Sequence, residues 1–173
     1  DNFTKWLIAA APKTYTLAGG KDWVATGGQG AKGSDGVATS VKSTPNSIGY
    51  IELSFVQTMG LKAAKVDNGG GAVEATSEAA AKTIAGATIK GTGNDLALSV
   101  DRTIADGASY PIVLVTYEIT CEKGLTGSDL ELTKAFLNYT SSDQAQSMLS
   151  SIGYVPISGD LLTKVRAAVA AIS

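Results

Sequence analysis

The sequence contains no histidine and a single cysteine, and these two scarcities exclude several kinds of chemistry. Without histidine there is no Ser-His-Asp or Cys-His triad, no imidazole general base and no His-ligated metal. One cysteine can form neither a cysteine-rich zinc site nor an internal disulfide. Cys121 has two interpretations, a small apolar residue at the end of a strand or a half-cystine whose partner lies outside this chain. We therefore expect no metal and no cofactor.

Charge is also sparse in this chain of 173 residues, with 14 Lys and Arg against 16 Asp and Glu. No run of basic residues supplies the patch that nucleic-acid backbones require, so we expect no nucleic-acid partner. The longest apolar runs, such as Ile112 to Val115, are far shorter than a membrane span. Apolar residues make up 44% of the chain, which is enough for a substantial core in one domain or a little more.

Glycine, in contrast, is abundant, and one glycine-rich loop invites a functional interpretation. Gly28 to Gly33 has the G-x-G-x-x-G spacing of a dinucleotide-binding loop, which needs a buried strand before it, a helix after it and an acidic residue about 20 positions on. Glu52 lies at a suitable distance, but residues 17–26 are not a run of buried β residues, which argues against a nucleotide. Two roles of these glycines remain open. They could allow a tight backbone turn that leads into the following helix, or the free N–H groups at the start of that helix could bind an anion.

Helices and strands are predicted to alternate along the chain, which is typical of an α/β fold. Apolar spacing predicts a first helix over Phe3 to Ala10, with Asp1 or Asn2 as its cap. Further helices are predicted at about 34–43, 54–59, 77–84, 130–139, 143–151 and 159–172, with Ser77, and Ser128 or Asp129, as caps. Strands are predicted at about 48–52, 63–66, 95–100 and 112–120, the last with the strongest β signal.

Two sets of side chains could be taken for a site, but their spacing does not support one. Four carboxylates are dispersed along the chain, and no two are placed together, so we expect solvated or hydrogen-bonded roles: Glu52, Asp95, Asp101 and Glu118. Four aromatic residues are expected to serve in packing, with stacking against a sugar or base as the other interpretation: Trp6, Trp23, Tyr50 and Phe55.

The stretch GGQGAKGSDGVATSVKSTPNSIGYIELSF resembles the signature of the phosphate-binding proteins of phosphate ABC transporters. Gly28 to Ala38 matches the family pattern G-x-G-x-K-G-x-x-G-V-A, and Thr44 to Glu52 matches T-P-x-S/A-I-G-Y-x-E. The opening DNFTKWL resembles the segment that follows the family's Ser-Gly-Thr phosphate loop. KTIAGATIKGTGNDLALSV, SYPIVLVTYEITCEK and KVRAAVAAIS resemble actinobacterial members, so the resemblance covers essentially the whole chain.

The resemblance implies a two-lobed α/β fold of the periplasmic-binding-protein type II class, about twice as long as this chain. The chain would be its C-terminal half, with residues 1–109 in the second lobe. Residues 110–173 would cross the hinge, beginning with a strand, and complete the first lobe. Ser109, Tyr110 and Pro111 are then candidate hinge residues, or an ordinary interdomain linker. A fragment of this kind would leave both lobes incomplete, so it is expected to be stabilised by an N-terminal-half chain or by self-association.

The function implied by the resemblance is extracytoplasmic capture of inorganic phosphate and its delivery to a transporter permease, by a secreted protein or a cell-surface lipoprotein. The family's ligands, including an Asp, an Arg and the Ser-Gly-Thr loop, match no position here. The loop would directly precede Asp1, so Asp1 and Asn2 are candidate ligand-binding residues, with ordinary capping as the other interpretation. A binding protein is not an enzyme. The alternative is a secreted phosphatase-like or other phosphate-handling enzyme on the same fold.

Overall fold

The computed structural model describes all 173 residues and contains seven α-helices. All seven helices predicted from the sequence are confirmed, with small shifts at their ends. A short 3-10 helix, Ser150–Ile152, follows the sixth. The α-helices are α1 Asn2–Ala10, α2 Gly33–Ser43, α3 Leu53–Met59, α4 Ser77–Ala85, α5 Gly127–Thr140, α6 Asp143–Leu149 and α7 Gly159–Ala171.

Two predicted helix caps are wrong by one or more residues. The cap of α4 is Thr76, whose hydroxyl accepts a 3.1 Å hydrogen bond from the N–H of Ala79. Thr76 has the extended backbone that a cap requires, whereas Ser77 is already helical. The N-cap residue of α5 is Thr126, whose side chain makes no capping hydrogen bond, so Ser128 and Asp129 lie inside the first turn.

The strands are short and form two separate antiparallel pairs. β1 (Val66–Asp67) pairs with β2 (Ala72–Val73) across the glycine-rich turn, and β3 (Thr88–Ile89) pairs with β4 (Leu98–Ser99). The Asp67 carboxylate stabilises the turn by accepting hydrogen bonds from two glycine N–H groups. Thus the strands predicted near 63–66 and 95–100 are present but much shorter than expected.

The strands predicted at 48–52 and 112–120 are wrong, because neither segment is paired with another strand. Ile48 is 87% exposed and Ile119 is 93% exposed. Isolated extended chain leaves its N–H and C=O groups to water, so β propensity alone does not produce a strand. Residues 112–120 supply suitable side chains but have no neighbouring strand in this structure.

By its internal contacts the chain divides into two compact units. Unit 1 comprises residues 1–86 and 101–114, and unit 2 comprises residues 87–100 and 115–173. The chain therefore leaves unit 1 for the last time after Leu114, a few residues beyond the predicted hinge. The assignment of 1–109 and 110–173 to the lobes of a larger protein stays a prediction.

Each unit has its own small core. In unit 1 the buried side chains include Ala38 of α2, Val73 of β2 and Thr83 of α4. In unit 2, Val169 and Ile172 are buried at the end of α7. No helix is both long enough and apolar enough to cross a lipid bilayer.

Unit 2 is held together by polar contacts as well as by its core. Arg166 of α7 donates two hydrogen bonds, of 2.9 and 2.8 Å, to the carbonyl of Ser141 and a third to the carboxylate of Asp143. The C-terminal residue Ser173 exchanges backbone hydrogen bonds with Glu122 and Gly124. These contacts tie α7 to the α5–α6 corner and to the segment that precedes α5.

Candidate functional site

The N-terminus of α1 is the one place where the resemblance predicts contact with an anion. Asp1 is its N-cap, but the Asp1 side chain makes no capping hydrogen bond. Its carboxylate instead forms a 2.7 Å ion pair with the ammonium of Lys5, one turn along the helix. The N–H groups of the first turn are thus left uncapped by Asp1, and the helix dipole makes this end favourable for negative charge.

Asn2 is held in place by a residue that the sequence did not single out. The Arg102 guanidinium donates from Nη2 to Oδ1 of Asn2. The other terminal nitrogen of Arg102, Nη1, is buried and has no hydrogen-bond partner. No motif or spacing links positions 2 and 102, so only the fold brings them together.

A second link joins α1 to the same segment. The indole N–H of Trp6 donates a 2.9 Å hydrogen bond to Oδ1 of Asn68. The amide of Asn68 in turn donates to the backbone carbonyls of Arg102, at 2.9 Å, and Ile104, at 3.1 Å. The side-chain oxygen and the NH2 group of Asn68 are thus both hydrogen-bonded, and Asn68 links α1 to residues 102–104 within unit 1.

An aromatic cluster forms around Phe3, in the first turn of α1. Phe3 stacks on Tyr50 with ring centroids 5.0 Å apart, and it also contacts Trp6 and Trp23. Tyr15 packs against Trp23. Three of the four aromatic residues expected to pack, all but Phe55, are therefore in this cluster, although Trp23 is 54% exposed and Tyr50 47%.

The electrostatics of this region centre on Arg102 and Tyr50. Partial burial raises the pKa of Tyr50 above its usual value, and the adjacent positive charge of Arg102 opposes that rise. Burial lowers the pKa of Arg102, which still remains a cation at neutral pH. Tyr50 is consequently a neutral hydroxyl, and Arg102 is a cation without an ion-pair partner.

The glycine loop before α2 has no strand leading into it, because residues 12–32 contain no β-structure. Gly27, Gly28 and Gly33 have φ values of 83, 87 and 70°, in the left-handed region that suits glycine. α2 begins at Gly33 itself. The strand that a dinucleotide fingerprint requires is missing, and the glycines are used for the backbone turn that enters the helix.

The predicted hinge residues lie in unit 1, where Ser109 and Tyr110 form hydrogen bonds within that unit. Ser109 donates its hydroxyl to the carboxylate of Asp106, and both Ser109 and Pro111 are almost wholly buried. Tyr110 exchanges hydrogen bonds with α4, donating to the carbonyl of Ala79 and accepting from the hydroxyl of Thr83. These residues make no hydrogen bond to Asp1 or Asn2.

The dispersed carboxylates do not form a catalytic set. Asp95 accepts from the N–H of Ala97, and Asp101 accepts from the N–H and hydroxyl of Thr103. The Thr103 hydroxyl is the main reason why the pKa of Asp101 is lowered. Asp95 and Asp101 thus each stabilise their own turn, and no group of three or more acidic or cysteine side chains is arranged to hold a metal ion.

Comparison with known proteins decides the family. Residues 1–144 match the family model described as a PBP superfamily domain. The chain belongs to the PBP superfamily. Together with the mixture of helices and strands, this match agrees with the fold class expected from the sequence.

The relatives of this PBP-superfamily chain carry a more specific name. It is 42% identical over 178 residues to phosphate-binding protein PstS 3 of Mycobacterium tuberculosis, and 36% identical to PstS 2 of the same organism. A more distant relative, PstS of Xylella fastidiosa, is 25% identical over 168 residues. Each mycobacterial alignment covers 100% of this chain and 48% of the relative. The Xylella alignment covers 96% of this chain and 45% of the relative. The chain spans about half the length of the curated relatives it matches.

Proposed function

We propose that this chain is the C-terminal half of an extracytoplasmic protein that binds inorganic phosphate and delivers it to an ABC transporter permease. The observation that carries this proposal is the match of the entire chain to proteins named for phosphate binding. The proposed protein is a binding protein and not an enzyme. We further propose that it is secreted or held at the cell surface as a lipoprotein.

The structure of unit 1 supports a role for the α1 N-terminus in this binding. The resemblance places a Ser-Gly-Thr loop immediately before Asp1, and a loop there would present its donors beside the first turn of α1. Uncapped N–H groups and the positive end of the helix dipole stabilise an anion at that position. Asp1 and Asn2 would then line the site, Asn2 being oriented by Arg102.

Closure of two lobes around the ligand is the expected mechanical step, and Ser109, Tyr110 and Pro111 are proposed to lie at its hinge. The hydrogen bonds of Tyr110 to α4 and of Ser109 to Asp106 would fix one side of that hinge. The backbone rotation would then occur beyond Pro111, where the chain leaves unit 1.

Isothermal titration with inorganic phosphate tests the proposal on two proteins, this chain alone and a full-length protein that joins it to the N-terminal half found in its relatives. We expect 1:1 binding by the full-length protein, little heat with sulfate, and weak or no binding by this chain alone. Tight 1:1 phosphate binding by this chain alone would show that the donors are already present. Absence of phosphate binding by the full-length protein would refute the proposed function itself.

A further inference from the structure

Arg102 is a half-buried cation that forms no ion pair with an acidic side chain. The carboxylate of Asp1, at the start of the helix that Arg102 contacts, pairs with Lys5 instead. Its Nη1 is buried without a hydrogen bond. Burying a charge that lacks a counter-charge is unfavourable, so such a charge is retained where something else compensates for it.

The contacts of Arg102 all lead to α1. Its guanidinium holds Asn2, and its backbone carbonyl is held by Asn68, which also accepts from Trp6. Asn2 and Trp6 are four residues apart and therefore lie on the same face of the helix. Arg102 and Asn68 thus fix α1 at two points one turn apart, which restricts both its rotation and its sliding along its axis.

This arrangement places a fixed positive charge beside the uncapped end of a helix. The N-terminal end of the helix dipole is positive, like the guanidinium. Neither charge therefore compensates for the other, and both favour a bound anion. Arg102 is also distinct from the Arg that the resemblance assigns to phosphate binding, because that residue matches no position in this chain.

We propose that Arg102 is a positioning residue of the phosphate site: it orients the first turn of α1 through Asn2 and adds its charge to the field that attracts the anion. This inference rests on the proposed function. Arg102 acts through Asn2 and through space, and it need not touch phosphate.

The test compares four variants of the full-length protein by titration with inorganic phosphate. Arg102→Gln removes the charge, and Arg102→Lys keeps the charge but not the planar guanidinium. Asn2→Ala keeps the charge of Arg102 but removes the oxygen that accepts its hydrogen bond. Lys62→Gln is the matched control, since Lys62 lies in unit 1, is exposed and forms no hydrogen bond or ion pair.

We expect the Kd for phosphate to rise about tenfold in Arg102→Gln, which corresponds to about 1.4 kcal/mol, and to stay within about threefold in Arg102→Lys. Asn2→Ala should lie between them, and Lys62→Gln should match the unmodified protein. The difference between Arg102→Gln and the unmodified protein should shrink when salt is raised from about 0.05 M to about 0.5 M, since salt screens a charge effect. If Arg102 acted only by holding Asn2 in place, the Kd would show neither this salt dependence nor recovery in Arg102→Lys.

Thermal unfolding of each variant is measured alongside. If Arg102→Gln does not fold, the comparison of Arg102→Lys with Asn2→Ala still separates the effect of the Arg102 charge from the effect of its hydrogen bond to Asn2. Equal Kd values for Arg102→Gln and the unmodified protein would overturn the inference while leaving phosphate binding intact. Equal weakening by both Arg102 substitutions, independent of salt, would also overturn it. An unmodified protein that does not bind phosphate would instead refute the proposed function, and the inference with it.

Discussion

The hydroxyl of Thr83 on α4 donates a 2.7 Å hydrogen bond to the backbone carbonyl of Tyr110. One turn earlier on the same helix, the carbonyl of Ala79 accepts a 3.0 Å hydrogen bond from the N–H of Tyr110. Both polar groups of one backbone residue are thus satisfied by a single helix. Thr83 is only 2% exposed, so water cannot replace this contact easily. The segment that leads to the proposed hinge is therefore anchored to α4.

Substitution Thr83→Val should lower the free energy of unfolding by about 1–3 kcal/mol, because it leaves the Tyr110 carbonyl buried and unsatisfied. Urea unfolding followed by circular dichroism measures the change. Thr83→Ser keeps the hydroxyl and should cost less. Thr58→Val is the exposed control, since the Thr58 hydroxyl bonds within its own helix. Equal stabilities for Thr83→Val and Thr58→Val would show that the Tyr110 contact contributes nothing.

Asp106 predicts a pH dependence of stability next to the same segment. Its pKa is lowered chiefly by the backbone N–H of Ala108, and then by the hydroxyl and N–H of Ser109. A lowered pKa in the folded state means that the ionised carboxylate stabilises the fold. This contribution is complete above the ordinary carboxyl pKa of 3.8 and is lost as the pH falls through the lower, folded value.

Asp106→Asn should therefore be less stable than the unmodified chain at neutral pH, and the difference should narrow as the pH falls below 3.8. Thermal unfolding of both proteins from neutral pH down to about pH 2 measures it. Glu118→Gln is a suitable control, because Glu118 is an exposed carboxylate outside any turn. A difference that does not change with pH would attribute the effect of Asp106→Asn to packing instead of charge.

Asn68→Ala should destabilise unit 1 by about 1–3 kcal/mol, because it removes the acceptor of Trp6 and the donor of two backbone carbonyls. The tryptophan emission should also shift, since the indole N–H of Trp6 loses its partner. Asn94→Ala is the control, because Asn94 makes a single exposed hydrogen bond to Glu122. A stability change as small as that of Asn94→Ala would mean that α1 is held by its aromatic contacts alone.

Local patterns predicted the helices well, since the 3.6-residue spacing of Phe3, Trp6 and Ala10 depends only on neighbours in the chain. The Arg102–Asn2 contact could not be predicted in this way, because it depends on how distant segments pack. The strand expected at 112–120 is the reverse case, in which a local pattern predicted an element that the structure does not form. Its residues have high β propensity, yet a strand needs hydrogen bonds from a neighbouring segment, and propensity does not reveal whether one exists. The resemblance to the family motifs implied the fold class, but the phosphate donors that it also implies match no position in this chain.

Unpaired residues 112–120 lead to a prediction about association. Leu114, Tyr117 and Ile119 are 60, 45 and 93% exposed, and exposed apolar residues on an unpaired extended segment favour pairing with another chain. We expect this chain alone to self-associate in a concentration-dependent way, measured by size-exclusion chromatography with light scattering. Ile119→Lys should shift the equilibrium toward monomer, because a charged side chain on an exposed extended segment opposes edge-to-edge pairing. Ile48→Lys, at a comparably exposed isoleucine outside this segment, should leave the equilibrium unchanged. A monomer at all concentrations, or equal effects of the two substitutions, would show that residues 112–120 do not mediate association.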